Sequence, residues 1–169
     1  MPETSRDVVV VLLDETTFTV PVKPTLLASE LLDMAASHCK IKEKEYFGLR
    51  TEGDGYKNWL ELDKPVLDPS QDLPKGSGQI KIFFTFKYFV DEVRYLQDYM
   101  TVELLYQFSR QAIMKGEIVT DDACIFELAA CVMQVQCGEY KNDEAALRQL
   151  KQLKVIPASV FSETSVHHW

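Results

Sequence analysis

The chain has 169 residues, is 46% apolar and 26% charged, and carries a net charge of −8, the composition of an ordinary globular protein of one domain or two small ones. No run approaches the roughly 20 apolar residues that cross a bilayer, and the polar start, Met1–Asp7, lacks the apolar core of a signal peptide, so a cytosolic chain is expected. The acidity is shared, 11 Lys+Arg against 14 Asp+Glu up to residue 87 and 7 against 12 beyond it, which argues against nucleic acid as a partner and against attraction to anionic lipid through the average field.

Arg6–Asp14 contains the run Val8–Leu13, whose β-branched residues predict a strand. Asp14–Thr17 is a polar turn. Phe18, Val20 and Val22 then alternate with polar or proline positions, a second strand in hairpin with the first. Pro21 has no N–H for a ladder, which puts it at an edge or a bulge. Pro24-Thr25 opens a helix on which Leu27, Leu31, Met34, Ala35 and His38 recur at helical spacing. His38 and Cys39 are neighbours on that helix and point about 100° apart, so they are read as packing at the helix end and not as a catalytic pair.

After the charged linker Lys40–Lys44 comes the most informative stretch, Glu45–Leu62. The run Tyr46-Phe47-Gly48-Leu49, the turn cluster Gly53-Asp54-Gly55 and a second run with Trp59, Leu60 and Leu62 predict strand, turn, strand. Phe47, Leu49, Trp59 and Leu62 are expected in the core. A loop follows with Pro65, Pro69, Pro74 and Gly76-Ser77-Gly78. Ile80, Ile82, Phe84 and Phe86 then define one apolar face of a strong strand.

From about Asp91 the pattern turns helical. Thr101 is a candidate N-cap for a helix buried on most of its circumference, with Val102, Leu105, Tyr106, Ser109 and Ile113 in one stripe and Leu104, Phe108 and Ala112 in a second. Gly116 fits its left-handed C-cap. Thr120 caps a second helix, with Asp121 and Asp122 favourable to its dipole. Its core face is Ile125, Leu128, Ala129, Val132 and Met133, and Gly138 ends it. Asn142 caps a shorter helix through Gln152, and Leu153–Phe161 is irregular around Pro157.

Chemistry-bearing clusters are absent from this reading. Cys124 and Cys131 share a helix face but have no further ligand at metal spacing. Without an export signal, the four cysteines Cys39, Cys124, Cys131 and Cys137 read as small buried hydrophobes rather than disulfides. His167-His168 is an isolated pair. There is no phosphate loop, no Cys-x5-Arg loop, and no nucleophile beside a base. No catalytic, cofactor-binding or metal residue is assigned, and the chain is expected not to be an enzyme. A ubiquitin-like modifier would need a free Gly-Gly tail, whereas Gly76-Ser77-Gly78 precedes a strand.

The order strand–strand–helix–strand–strand–strand followed by helices resembles the FERM domain of the band 4.1 and ezrin–radixin–moesin proteins. Four segments carry the likeness: Tyr46-Phe47-Gly48-Leu49 with Trp59-Leu60 and Leu62; Lys81–Val90; Leu104-Leu105-Tyr106-Gln107 with Lys115-Gly116-Glu117-Ile118; and Leu128-Ala129-Ala130 through Gln134 to Gly138-Glu139-Tyr140. The resemblance covers roughly Asp7–Trp169. It implies an α+β fold, a ubiquitin-like β-grasp lobe over residues 1–88 followed by an all-helical, acyl-CoA-binding-protein-like lobe over 89–169.

Against the family's pattern the second lobe is expected to be truncated and the third lobe absent, as in a fragment or short isoform. Each apolar side chain left uncovered forgoes roughly 1.5–3 kcal/mol, so an apolar patch on the helical lobe is expected, with self-association or instability. The resemblance further implies a non-catalytic scaffold, closer to polarity and junction members than to ezrin-like linkers. Its partners would be cytoskeletal, junctional or polarity proteins, and its place the cytoplasm at the cell cortex or junctions. The alternative is a targeting arm of a larger phosphatase- or kinase-type FERM protein. Where ezrin-like members carry lipid-binding basic residues, Asp54 and Glu61 stand here and only Lys64 keeps the charge, so no more than weak membrane association is expected.

Overall fold

The computed structural model describes residues 5–53, 56–74, 79–153, 155–157 and 160. The chain divides into two compact units between Phe108 and Ser109.

The first unit is built on a five-stranded mixed sheet. β1 (Arg6–Val11) and β2 (Thr17–Val22) form an antiparallel hairpin, α1 (Ala28–His38) follows, and β3 (Phe47–Gly53), β4 (Tyr56–Trp59) and β5 (Ile80–Phe86) complete a sheet of order β2-β1-β5-β3-β4. β1 and β5 run parallel at its centre, and the other pairs are antiparallel. Pro21 lies on the edge strand β2, where its missing N–H costs no ladder bond.

Period-two alternation divides the sheet. Val8, Val10, Val22, Phe47, Leu49, Ile80, Ile82, Phe84 and Phe86 are buried in one core with Leu31, Leu32 and Ala35 of α1. Phe47 stacks on Phe84 with centroids 4.9 Å apart and meets Phe86 at 4.2 Å, and Phe86 meets Phe108 of α2 (Tyr99–Met114) at 5.5 Å. This ladder of phenyl rings ties the first turns of α2 into the sheet's own core.

Several element ends differ from the sequence expectation. α1 begins at Ala28 and not at Pro24-Thr25, because Leu27 is extended and bridged to Pro65. Its first amides are satisfied by the carbonyls of Lys64 and Leu62, at 2.9 and 3.0 Å, and Glu30 accepts the Leu27 N–H at 2.8 Å. At its other end Lys40 takes a left-handed φ of 57°. The Ile41 and Lys40 amides donate to Ala36 and Ser37 in a Schellman arrangement.

The region after Asp91 is not yet helical. It forms a 3-10 turn at Val93–Tyr95, with Val90 and Leu96 buried, and α2 starts only at Tyr99. Thr101 is not its cap. Asp98 takes that position, its carbonyl accepting from Val102 and its carboxylate from the Met100 N–H, while Thr101 is fully buried in the first turn.

α2 passes from the first unit into the second, which holds α3 (Asp122–Cys137) and α4 (Asp143–Leu153). Gly116, at φ 72°, ends α2 in a second Schellman arrangement, with Glu117 donating to Ala112 at 2.8 Å. α3 is capped by Asp121, whose carboxylate accepts the Cys124 N–H at 2.8 Å, and not by Thr120 one residue earlier. A carboxylate there also complements the helix dipole. Asn142 caps α4 through the Ala145 N–H at 2.9 Å, as its position suggested.

Ala112, Ile125, Ala129, Val132, Leu150, Val155, Ile156 and Pro157 are buried apolar residues of this unit among those described. Leu128, expected in the core face, is 40% exposed, because the buried face of α3 is the narrower stripe of Ile125, Ala129 and Val132. Val119, Val135 and Tyr140 are also apolar and exposed.

Candidate functional site

The β3–β4 hairpin positions the surface with the most chemical character. Phe47 and Leu49 point into the core, so Gly48 between them lies on the outer face. Trp59 of β4 lies there too, 37% exposed, and not in the core as its apolar character suggested. A Cβ on Gly48 would stand 2.9 and 3.0 Å from two ring carbons of Trp59. Glycine is therefore required by the indole packed over its backbone.

Register places Arg50 opposite both Trp59 on β4 and Phe83 on β5, and Glu52 opposite Lys57. On the other side of β5, Lys81 pairs with Val9 of β1. The Lys87 ammonium sits over two rings, 5.9 Å from the centroid of Trp59 and 5.5 Å from that of Tyr88. The Arg50 guanidinium sits 5.8 Å over Phe83 and pairs with Glu52 at 2.9 Å. The outer face is thus a platform of aromatic rings with cations held over them.

The loop after β4 is held by a side chain that sequence reasoning passed over. Gln71 is 5% exposed; its Oε1 accepts the Glu61 N–H at 3.0 Å and its Nε2 donates to the Glu61 carbonyl at 2.8 Å and to Pro65 O at 3.4 Å. A single glutamine in a proline-rich loop has no periodicity to mark it. Within this loop Lys64 donates to the Glu61 carboxylate at 2.7 Å and to Ser70 Oγ at 3.2 Å. The Glu61 bond holds the Lys64 ammonium above its usual pKa range. Lys64 is therefore engaged by its own neighbours. Asp54 and the glycines at 55, 76 and 78 lie outside the described residues, as do His167 and His168.

His38 and Cys39 pack at the end of α1. The imidazole stacks on Phe18, with centroids 4.7 Å apart. Burial, and secondarily Asp14, pushes the Cys39 thiol up to about 11, which disfavours the thiolate near neutral pH. Cys124 and Cys131 are free thiols, and Cys131 is exposed. Among the described residues no group of three or more His, Cys, Asp or Glu is placed to hold a metal ion. In the second unit a groove of about 620 Å³ runs between α3 and α4, lined by Met133, Cys137, Tyr140 and Leu150 among others. The Tyr140 hydroxyl donates to Asp143 at 2.5 Å, which raises its pKa. No helix among the described residues is long and apolar enough to cross a membrane.

The chain is a β-grasp unit followed by a helical unit. Family models give the class: the FERM N-terminal domain matches residues 10–70 and the FERM central domain matches residues 91–169. The chain belongs to the FERM family. The FERM domain itself is non-catalytic.

Among curated proteins, the human tyrosine-protein phosphatase non-receptor type 4 is 28% identical over 150 residues, covering 88% of this chain and 16% of that protein. The human band 4.1-like protein 3 is 26% identical over 151 residues, covering 88% and 13%. The chain thus spans less than a fifth of either relative. Among solved structures, the complex of the FERM and C-terminal domains of Drosophila Merlin superposes with a TM-score of 0.78 at 22% identity, over 96% of this chain and 54% of that one. This likeness supports the fold, a ubiquitin-like lobe followed by a helical lobe.

Proposed function

We propose that the chain is a non-catalytic protein-interaction adaptor that links membrane-associated or junctional proteins to the cortical cytoskeleton or to polarity complexes. The observation that carries this reading is the succession of two FERM lobe types along one chain. We place the lobes at residues 1–88 and 89–169, and the protein in the cytoplasm at the cortex or at junctions. The Merlin structure, in which a FERM domain is held by a C-terminal domain, supports protein partners as a class. The exposed Leu128 and Val135 of α3 support self-association as a further property. The likeness to a phosphatase keeps a second reading, a targeting arm of a larger signalling protein.

Affinity capture from epithelial lysate tests the proposal. Recovery of cortical, junctional or polarity proteins is expected, and recovery of none would overturn it. Phosphatase or transferase turnover by the purified chain would overturn its non-catalytic part.

A further inference from the structure

The outer face of the sheet has a charge opposite to that of the chain. The whole chain carries −8, yet among the described residues register and alternation gather Arg50, Lys57, Lys81 and Lys87 on this face with the carboxylates Asp7 and Glu52. Glu52 is already paired with Arg50. The face is also aromatic: Trp59 and Phe83 lie within it, each beneath a cation, and Tyr88 continues it under Lys87. α1 packs on the opposite side of the sheet, with the core face.

We propose that the outer face of β3–β4–β5, around Arg50, Trp59 and Lys87, docks an acidic protein segment that carries aromatic or aliphatic side chains among its carboxylates. Charge complementarity selects the sign, since the chain's net charge repels such a segment while the cations of this face attract it. The rings select the second property. Aromatic surface with guanidinium or ammonium groups above it favours partners that bury apolar side chains between their charges. A bilayer is the poorer match, because its continuous plane of phosphates would meet Asp7 and Glu52 at the same depth as the cations. A peptide can place its few carboxylates on the cations and leave these two to solvent.

The inference rests on the reading of the chain as a protein-binding module, and it adds where binding occurs and by what chemistry. The probe is a fluorescently labelled glutamate–tyrosine copolymer, titrated with the full chain and followed by anisotropy. Polyglutamate without tyrosine and vesicles of phosphatidylserine in phosphatidylcholine serve as comparisons.

Saturable binding of the copolymer is expected. Lys87→Glu and Lys81→Glu, both on exposed side chains, should each weaken it by about threefold or more, as removal of a facing charge does. Lys40→Glu, at the end of α1 and away from the face, should bind as the parent does. Thermal unfolding of each variant separates loss of binding from loss of fold. Undiminished binding by both face variants would overturn the proposal. So would equal binding of polyglutamate, which would reduce the face to generic electrostatics. A preference for the vesicles that both variants abolish would reassign it to membranes. Capture of cortical proteins from lysate that survives Lys87→Glu would leave the adaptor reading standing and remove this face as its site.

Discussion

Glu43 and Asp98, far apart in sequence, each bind backbone beside the other. The Glu43 carboxylate accepts the N–H groups of Gln97 and Asp98, both at 3.0 Å, and the Asp98 carboxylate accepts the N–H of Lys42 at 2.8 Å. This reciprocal clamp fixes the start of α2 to the segment after α1, within the first unit. Glu43→Ala or Asp98→Ala is expected to cost about 1 kcal/mol, because exposed and part-buried backbone amides lose charge-assisted partners. The double variant should cost less than the sum of the two. Urea unfolding of the four proteins checks both statements.

The same clamp makes stability depend on acid. The Lys42 N–H, then those of Met100 and the Thr101 hydroxyl, hold the Asp98 carboxyl below its usual range. A carboxyl depressed in the folded state adds stability that is present above its unfolded value, near 4, and is lost as pH falls through its folded value. Asp98→Asn should flatten the acid limb of the stability–pH curve between about pH 5 and the folded pKa. An unchanged acid limb would sink the assignment.

Gly48→Ala tests the packing of Trp59. The added methyl meets rigid ring carbons at 2.9 and 3.0 Å, so the indole must move, at a cost of about 1–3 kcal/mol. A lower melting temperature with a shifted Trp59 fluorescence maximum is expected, the signal of Trp169 being removed by Trp169→Phe. Replacing Trp59 by Leu as well should recover part of the loss.

Lys40→Gly is expected to stabilise the protein. Lys40 holds φ at 57°, where a Cβ is strained and glycine is not. Part of the gain is offset by the greater unfolded-state freedom of glycine, leaving about 0.5 kcal/mol or more. The urea midpoint should rise with an unchanged m-value.

Gln71→Ala should cost about 1–2 kcal/mol, since it removes the partners of the Glu61 amide and carbonyl, both in part-buried bonds. Hydrogen exchange at the Glu61 amide should accelerate more than exchange at the central strands. Gln71→Glu keeps the acceptor and loses the donor, and should fall between the two.

Alkylation reads the cysteines. Cys131 is exposed, and the Cys39 thiol is pushed up to about 11 by burial. Iodoacetamide at neutral pH should label Cys131 first and Cys39 only on unfolding, as seen by peptide mass spectrometry. Early labelling of Cys39 would contradict its environment.

The strands and helices were legible because each buries one side, and burial writes a period of two or 3.6 into the chain. Ile80 to Phe86 and Ile125 to Val132 are examples. Helix ends were less legible, since Thr101 and Thr120 are good caps in isolation, but Asp98 and Asp121 lie close enough to compete and bind the first-turn amides instead. Trp59 read as core because bulk and apolarity look alike on either face. Its true place was written in Gly48, which has no side chain to fill the space the indole takes. The outer-face cations were invisible because they come from three strands whose pairing no local pattern states. The Glu43–Asp98 clamp left no local trace for the same reason.

The parallel pairing of β1 with β5 has a consequence for biogenesis. Val8 and Ile80, partners at the centre of the sheet, are about 70 residues apart, so the middle of the sheet is closed by its last-made strand. Until Phe86 has left the ribosome, the flank of β1 and the apolar face above Phe47 remain open to other chains. Vectorial synthesis thus holds the first unit in an association-prone state for its longest interval. Slowing elongation once Phe86 has emerged should favour soluble yield, whereas slowing it before that should favour aggregates.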